Sequence, residues 1–210
     1  MEIKNLMIIA IASIFINNFV LTRFLGLCPY LGVSRRLDSA IGRRAAVIFV
    51  TSIASMVTWL IYTYLLEPTS SNIFYRIFSL EKPPDLIFLR TIAFILVIAS
   101  LVQFVEMVIQ RLSPGLYRAL GIYLPLITTN CAILGVAILN IEEAYNFIES
   151  VVQGFTAGIG FTLALVLMAG IRERLDLADV PRPLRGIPIA FIMAGLMSIA
   201  FLGFSGLSIE

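Results

Sequence analysis

Cys28 and Cys131 are the two thiols of a 210-residue chain that contains no histidine. Each opens the same short pattern: Cys28-Pro-Tyr-Leu-Gly-Val33 and Cys131-Ala-Ile-Leu-Gly-Val136 share Cys, Leu, Gly and Val at matching positions. The absence of His removes the usual general base and the commonest imidazole ligand, so hydrolase triads and His-bound zinc or haem are excluded. No His base accompanies either thiol, which weighs against nucleophilic catalysis. Three uses compete for the pair: apolar packing, a disulfide, or thiolate ligation of a metal. A [2Fe–2S] cluster normally takes four Cys ligands, and two are present, so a complete site of that kind demands a partner chain.

The elements that position these residues belong to a membrane protein. The chain is 60% hydrophobic and 13% charged, with a mean hydropathy of +0.99, more apolar surface than a soluble domain can bury. Apolar runs between charges predict six spans, at approximately 5 to 33, 44 to 66, 86 to 110, 119 to 140, 147 to 171 and 187 to 207; about 20 apolar residues suffice to cross the hydrocarbon core. The expected fold is all-α and integral to the membrane, a single domain over 1–210. The longest connector, 67 to 85, carries Pro68, Pro83 and Pro84 and reads as an aqueous loop. A net charge of +2 gives no reason to expect nucleic acid.

The paired Cys patterns fall in spans one and four, so each half holds three spans: repeat one over about 1–111 and repeat two over about 112–210. Three is odd, so the second half crosses in the opposite sense, giving an inverted repeat. Span one contains Asn17, Asn18, Gly26 and Pro29, and span four contains Pro125, Thr128, Thr129 and Asn130. Both read as interrupted helices. Broken helices at membrane depth are either packing kinks or linings of a protein-enclosed site.

Cytoplasmic loops retain Lys and Arg, and the loop cations divide ten against four. Arg35, Arg36, Arg43, Arg44, Arg111, Arg118, Arg172, Arg174, Arg182 and Arg185 lie on one side; Lys4, Arg76, Lys82 and Arg90 lie on the other. Both termini are therefore expected on the periplasmic or extracellular side. Trp59, Tyr62, Tyr64 and Tyr145 suit an aromatic belt at that outer interface. Arg23 in span one and Glu106 in span three are charges at membrane depth, where an unpaired charge is costly. A mutual ion pair is expected, with snorkelling or contact with a partner chain as the alternative. Gly154 and Gly158, with Gly160, form a small-residue face on span five that suits close helix packing. The segment from Leu175 to Pro188 reads as a cytoplasmic connector.

Three long segments closely resemble a known family. Asn17-Asn-Phe-Val-Leu-Thr-Arg-Phe-Leu-Gly-Leu-Cys-Pro-Tyr-Leu-Gly-Val-Ser34, Leu120-Gly-Ile-Tyr-Leu-Pro-Leu-Ile-Thr-Thr-Asn-Cys-Ala-Ile-Leu-Gly-Val136 and Asp179-Val-Pro-Arg-Pro-Leu-Arg-Gly186 resemble the A-type membrane subunits of bacterial Rnf complexes. The resemblance covers essentially the whole chain outside 67–85. It extends more distantly to the E-type membrane subunits of the sodium-pumping NADH:quinone reductase, but Asn17-Asn18 and the Cys28-Pro29 pair favour Rnf.

The resemblance implies a bacterial inner-membrane subunit of an ion-translocating oxidoreductase that links ferredoxin and NAD. In that family the A-type subunit pairs with a homologous E-type subunit of opposite orientation. Each contributes two cysteines to one [2Fe–2S] cluster near mid-membrane, and Cys28 and Cys131 stand at the matching positions. The cluster is expected to relay electrons between cytoplasmic redox groups and covalently bound flavins on neighbouring subunits, with the D-, G-, B- and C-type subunits completing the complex. No flavin is expected on this chain. Two other readings remain: a secondary transporter, which shares the inverted repeat and broken helices, and a purely structural assembly factor within a complex.

Overall fold

The computed structural model describes residues 2–28, 30, 40–66, 87–112 and 130–204. Every regular element among them is helical. Six α-helices follow in chain order: α1 (Glu2–Ile11), α2 (Ala40–Ile61), α3 (Arg90–Leu112), α4 (Cys131–Glu142), α5 (Phe147–Asp176) and α6 (Ile187–Leu202). Each falls within or across one of the six expected spans. α1 and α2 run on as π-helical turns, Ala12–Ile16 and Tyr62–Leu66. By length and composition, the helices over Ala46–Leu66, Arg90–Val108 and Phe147–Asp176 are long and apolar enough to cross a membrane. Lys4–Ile16, Cys131–Glu142 and Ile187–Leu202 are apolar but shorter. The 67–85 connector, Pro29, Pro125, Thr128 and Thr129 lie outside the described residues.

The core is built around α5, a helix of 30 residues and so about 45 Å long at 1.5 Å per residue. Its principal partner is α2. The two run antiparallel: moving up α5 through Ser150, Gly154 and Gly158, the contacts descend α2 through Ser55, Thr51 and Ile48. The small-residue face does what its spacing predicts. A Cβ built on Gly154 would stand 2.6 Å from Ser55 Cβ, and one on Gly158 would stand 2.8 Å from the Ile48 Cα. Such backbone approach is how helices associate in lipid, where dispersion and interhelical hydrogen bonds replace the hydrophobic drive. Gly160 admits α1 in the same way, with the Ser13 carbonyl 3.0 Å from its Cβ position.

Polar side chains inside this apolar bundle find one another. Ser55 donates to the Ser150 carbonyl at 2.7 Å and accepts from Asn140 Nδ2, while the Ser13 hydroxyl meets the Gln153 side-chain amide. Asn140, Gln153, Ser55, Ser150 and Ser13 are all buried.

One end of the bundle gathers the aromatic and charged groups assigned to the outer interface. Trp59 Nε1 donates to the Tyr145 carbonyl at 2.9 Å, and its ring meets Phe147 edge-on at 5.3 Å. Arg90, at the start of α3, pairs with Glu142, at the end of α4, at 3.6 Å. In the tight α4–α5 turn, burial, followed by the charges of Glu143 and Glu149, raises the Tyr145 phenol above its ordinary value. Asn146 and Glu149 then cap α5 reciprocally, the Asn146 N–H donating to the Glu149 carboxylate at 2.9 Å.

Candidate functional site

The break expected in the first span appears where Asn interrupts the apolar run, and the chain leading into Asn130 lies outside the described residues. After Ile16 the chain leaves the helix, and Asn18, fully buried, takes over the freed backbone groups. Its Nδ2 donates to the carbonyls of Gly160 at 2.8 Å and Ile14 at 3.1 Å; its Oδ1 accepts from the N–H groups of Val20 at 3.1 Å and Leu21 at 3.4 Å. Ser198 of α6 donates to the Leu21 carbonyl at 2.6 Å, and Thr22 to the Asn18 carbonyl at 2.7 Å. A non-helical segment survives at membrane depth only when its polar groups are satisfied inside the protein, and these contacts do so for the groups named.

Asn130, also buried, caps α4: its Oδ1 accepts from the Ala132 N–H at 3.1 Å. Cys131 is thereby fixed as the first residue of α4, at the end where the helix dipole is positive.

The first break touches the start of α4. The Gly26 N–H donates to the Cys131 sulfur at 2.9 Å, which brings the segment leading into Cys28 against the cysteine of the other half. Around this contact Gly26, Asn130, Ala132, Ile133 and Phe161 are buried, and Tyr30, two residues beyond Cys28, is buried completely. Cys28 and Cys131 are the exceptions. Both are free thiols, and both are exposed at the surface of the chain. Among the described residues no cluster of three or more Cys, Asp or Glu side chains is poised to hold a metal, so the described part of the chain offers thiols and no third ligand beside them.

Arg23 and Glu106, expected to compensate each other, do not form an ion pair among the described residues. Arg23 is exposed, its guanidinium 6.0 Å above the Phe19 ring, and Glu106 is half-buried on α3. Arg23 belongs to the irregular segment after the first break, whose path is set by Asn18 and Ser198, so helical register does not carry it toward α3. Three participants are not evident from the sequence: Phe161, which crowds Gly26; Ser198, which anchors the break; and Asn140 in the polar seam. An Asn within an apolar helix was a readable signal for the last. The others depend on tertiary placement.

Residues 6–208 match the family described as Rnf-Nqr subunit, membrane protein. The chain is 55% identical over 204 residues to the A-type subunit of the Na(+)-translocating ferredoxin:NAD(+) oxidoreductase complex of Acetobacterium woodii, covering 97% of this chain and 98% of that one. It is also 55% identical over 201 residues to the A-type subunits of the ion-translocating oxidoreductase complexes of Serratia proteamaculans and Citrobacter koseri, with 96% of each chain covered.

Proposed function

Because the chain belongs to the Rnf-Nqr family of membrane subunits, we propose that it is the A-type subunit of a redox-driven, ion-translocating oxidoreductase acting between ferredoxin and NAD. In this reading Cys28 and Cys131 supply two of the four thiolates of a [2Fe–2S] cluster, and a homologous E-type subunit supplies the other two. Bound there, the cluster would give the bilayer a one-electron relay. The observation that carries the reading is the exposure of both thiols where the first break meets the start of α4, beside the buried Gly26, Tyr30, Asn130 and Ala132. A packing cysteine is normally among the most buried of residues. Two ligands on an outward face fit a cluster completed across a subunit interface.

The chain's own residues prepare that face. Asn130 fixes Cys131 at the positive end of α4, which favours a negatively charged group. Asn18 and Ser198 hold the first break through hydrogen bonds to the backbone of Gly160, Ile14, Val20 and Leu21. Six membrane spans in two inverted halves are supported by the six apolar helices among the described residues, the paired Cys patterns and the antiparallel α2–α5 pair. The outer-end cluster of Trp59, Tyr145, Arg90 and Glu142 supports termini on the periplasmic side of a bacterial inner membrane. D-, G-, B- and C-type subunits would complete the assembly, with Na+ or H+ as the coupling ion.

The test is iron analysis and electron paramagnetic resonance on the purified complex. Serine replaces a soft thiolate poorly toward iron. Cys28→Ser and Cys131→Ser should each abolish the cluster signal and ferredoxin-linked NAD reduction, while the remaining flavins and iron–sulfur groups stay in place. An assembled Cys→Ser complex with full iron and activity would return both residues to packing and reopen the transporter and scaffold readings.

A further inference from the structure

We infer that Gly26 is a positioning residue for the cluster proposed above: its peptide N–H donates to the Cys131 ligand sulfur and raises the cluster's reduction potential. The inference rests on that reading of the cysteines, and it adds a role for a residue in the opposite half of the chain. The geometry is direct. Gly26 N lies 2.9 Å from Cys131 Sγ, whereas the Val20, Leu21, Thr22 and Leu25 N–H groups of the same break all go to oxygen acceptors. A peptide donor aimed at a thiolate sulfur stabilises the negative charge that reduction adds, so the reduced state gains more than the oxidised state.

The position favours glycine. Its φ is +79°, in the left-handed region that side-chain-bearing residues rarely adopt. A Cβ there would stand 2.6 Å from Phe161 Cε2, 2.9 Å from Asn130 Oδ1 and 3.2 Å from Ala132 Cβ. Those three neighbours belong to α5, to the cap of α4 and to the residue after Cys131, so a side chain at position 26 would push the break away from the sulfur it serves. Leu25 locks the approach from the other side, since a Cβ on Gly135 would meet its Cδ1 at 2.5 Å.

The experiment uses the intact complex from cells fed [15N]glycine. Pulsed electron paramagnetic resonance of the reduced cluster should show a 15N coupling from a glycine peptide nitrogen. That coupling should vanish in Gly26→Ala, with the midpoint of the same signal moving to a more negative potential. Because Gly26→Ala meets Phe161, the double variant Gly26→Ala with Phe161→Leu removes the shortest clash and allows the cluster to assemble. A cysteine-dependent signal without glycine nitrogen coupling in the wild-type complex overturns the role of Gly26, whatever the variants do. An assembled variant with unchanged coupling and midpoint overturns it too. A signal indifferent to Cys28→Ser and Cys131→Ser instead removes the cluster assignment itself, so the two failures are distinguishable.

Discussion

The α2–α5 seam and the cysteine face meet the same demand, satisfying polar groups in a lipid-solvated bundle, by opposite routes. Along the seam, regular helices satisfy their own backbones, glycines let them close to contact, and Asn140, Ser55 and Ser150 join in a buried chain of hydrogen bonds. At the cysteine face the helices stop, Asn18, Asn130 and Ser198 take over the freed backbone groups, and two thiols are left at the surface. The seam buries its polar side chains, leaving only Asn140 Oδ1 and Ser150 Oγ without a partner among the described residues. The face leaves its two sulfur-bearing side chains exposed.

The largest effect should come from breaking the seam. Gly158→Leu forces a side chain into a site where even a Cβ meets the Ile48 backbone at 2.8 Å, and overpacking of this kind costs about 1–3 kcal/mol or more. Thermal unfolding of the purified complex in detergent should show a clear loss of stability. Gly170→Ala on the same helix is the matched control, because nothing lies within 4 Å of its Cβ position. It should be neutral or stabilising, by up to about 1 kcal/mol. Equal losses from both substitutions would mean that α5 is sensitive to propensity and not to its contact with α2.

Next in size is the first break. Asn18→Leu removes a side chain that makes hydrogen bonds to Gly160, Ile14, Val20 and Leu21. Leaving a buried peptide group unsatisfied costs about 1–3 kcal/mol, and more than one would be orphaned. Because the same segment carries Gly26 to Cys131, the variant should lose the cluster signal along with stability, whereas Gly158→Leu acts on packing alone. A stable Asn18→Leu complex with a normal signal would show that the break holds its shape without this side chain.

The long apolar helices over Ala46–Leu66, Arg90–Val108 and Phe147–Asp176 were legible because hydropathy reports burial in lipid directly. The position of the first break was legible because an Asn within an apolar run must be given hydrogen-bond partners, and backbone freed from a helix supplies them. The small-residue face of α5 was legible from the four-residue spacing of Gly154 and Gly158. The bond from Gly26 to Cys131 was not, because it depends on a positive φ and on where two distant segments meet. Gly26 reads in sequence only as a helix breaker. The ion pair expected between Arg23 and Glu106 went astray for the same reason: depth along a span was inferred from register, and the break removes the register before Arg23 is reached. The Trp59, Tyr62, Tyr64 and Tyr145 belt named an interface without showing that Trp59 ties the α4–α5 turn to α2.

That tie gives a smaller effect. Trp59→Phe retains an aromatic ring beside Phe147 and removes the donor to the Tyr145 carbonyl. The expected cost is about 0.5–1.5 kcal/mol, that of one hydrogen bond. Hydrogen exchange at the outer end of the bundle, between Glu142 and Phe147, should quicken, with the cysteine face unaffected. Uniform quickening across both regions would show that the seam and the face unfold together and would dissolve the distinction drawn between them.

The smallest effect concerns Arg23 and Glu106. Arg23 is exposed above Phe19 and Glu106 is half-buried on α3, so neutralising one should leave the other's surroundings unchanged. Charges that share no partner behave additively to within about 0.3–0.5 kcal/mol. Arg23→Gln, Glu106→Gln and the double variant should therefore give a coupling inside that margin, read from unfolding of the complex. The exposed guanidinium lies five residues before Cys28 in the chain, so, on the reading proposed above, Arg23→Gln should weaken assembly with a partner chain more than it weakens this chain's own fold. A coupling well above the margin would mean that the two charges meet in the assembled membrane, and that the face completed by a partner extends from the thiols to α3.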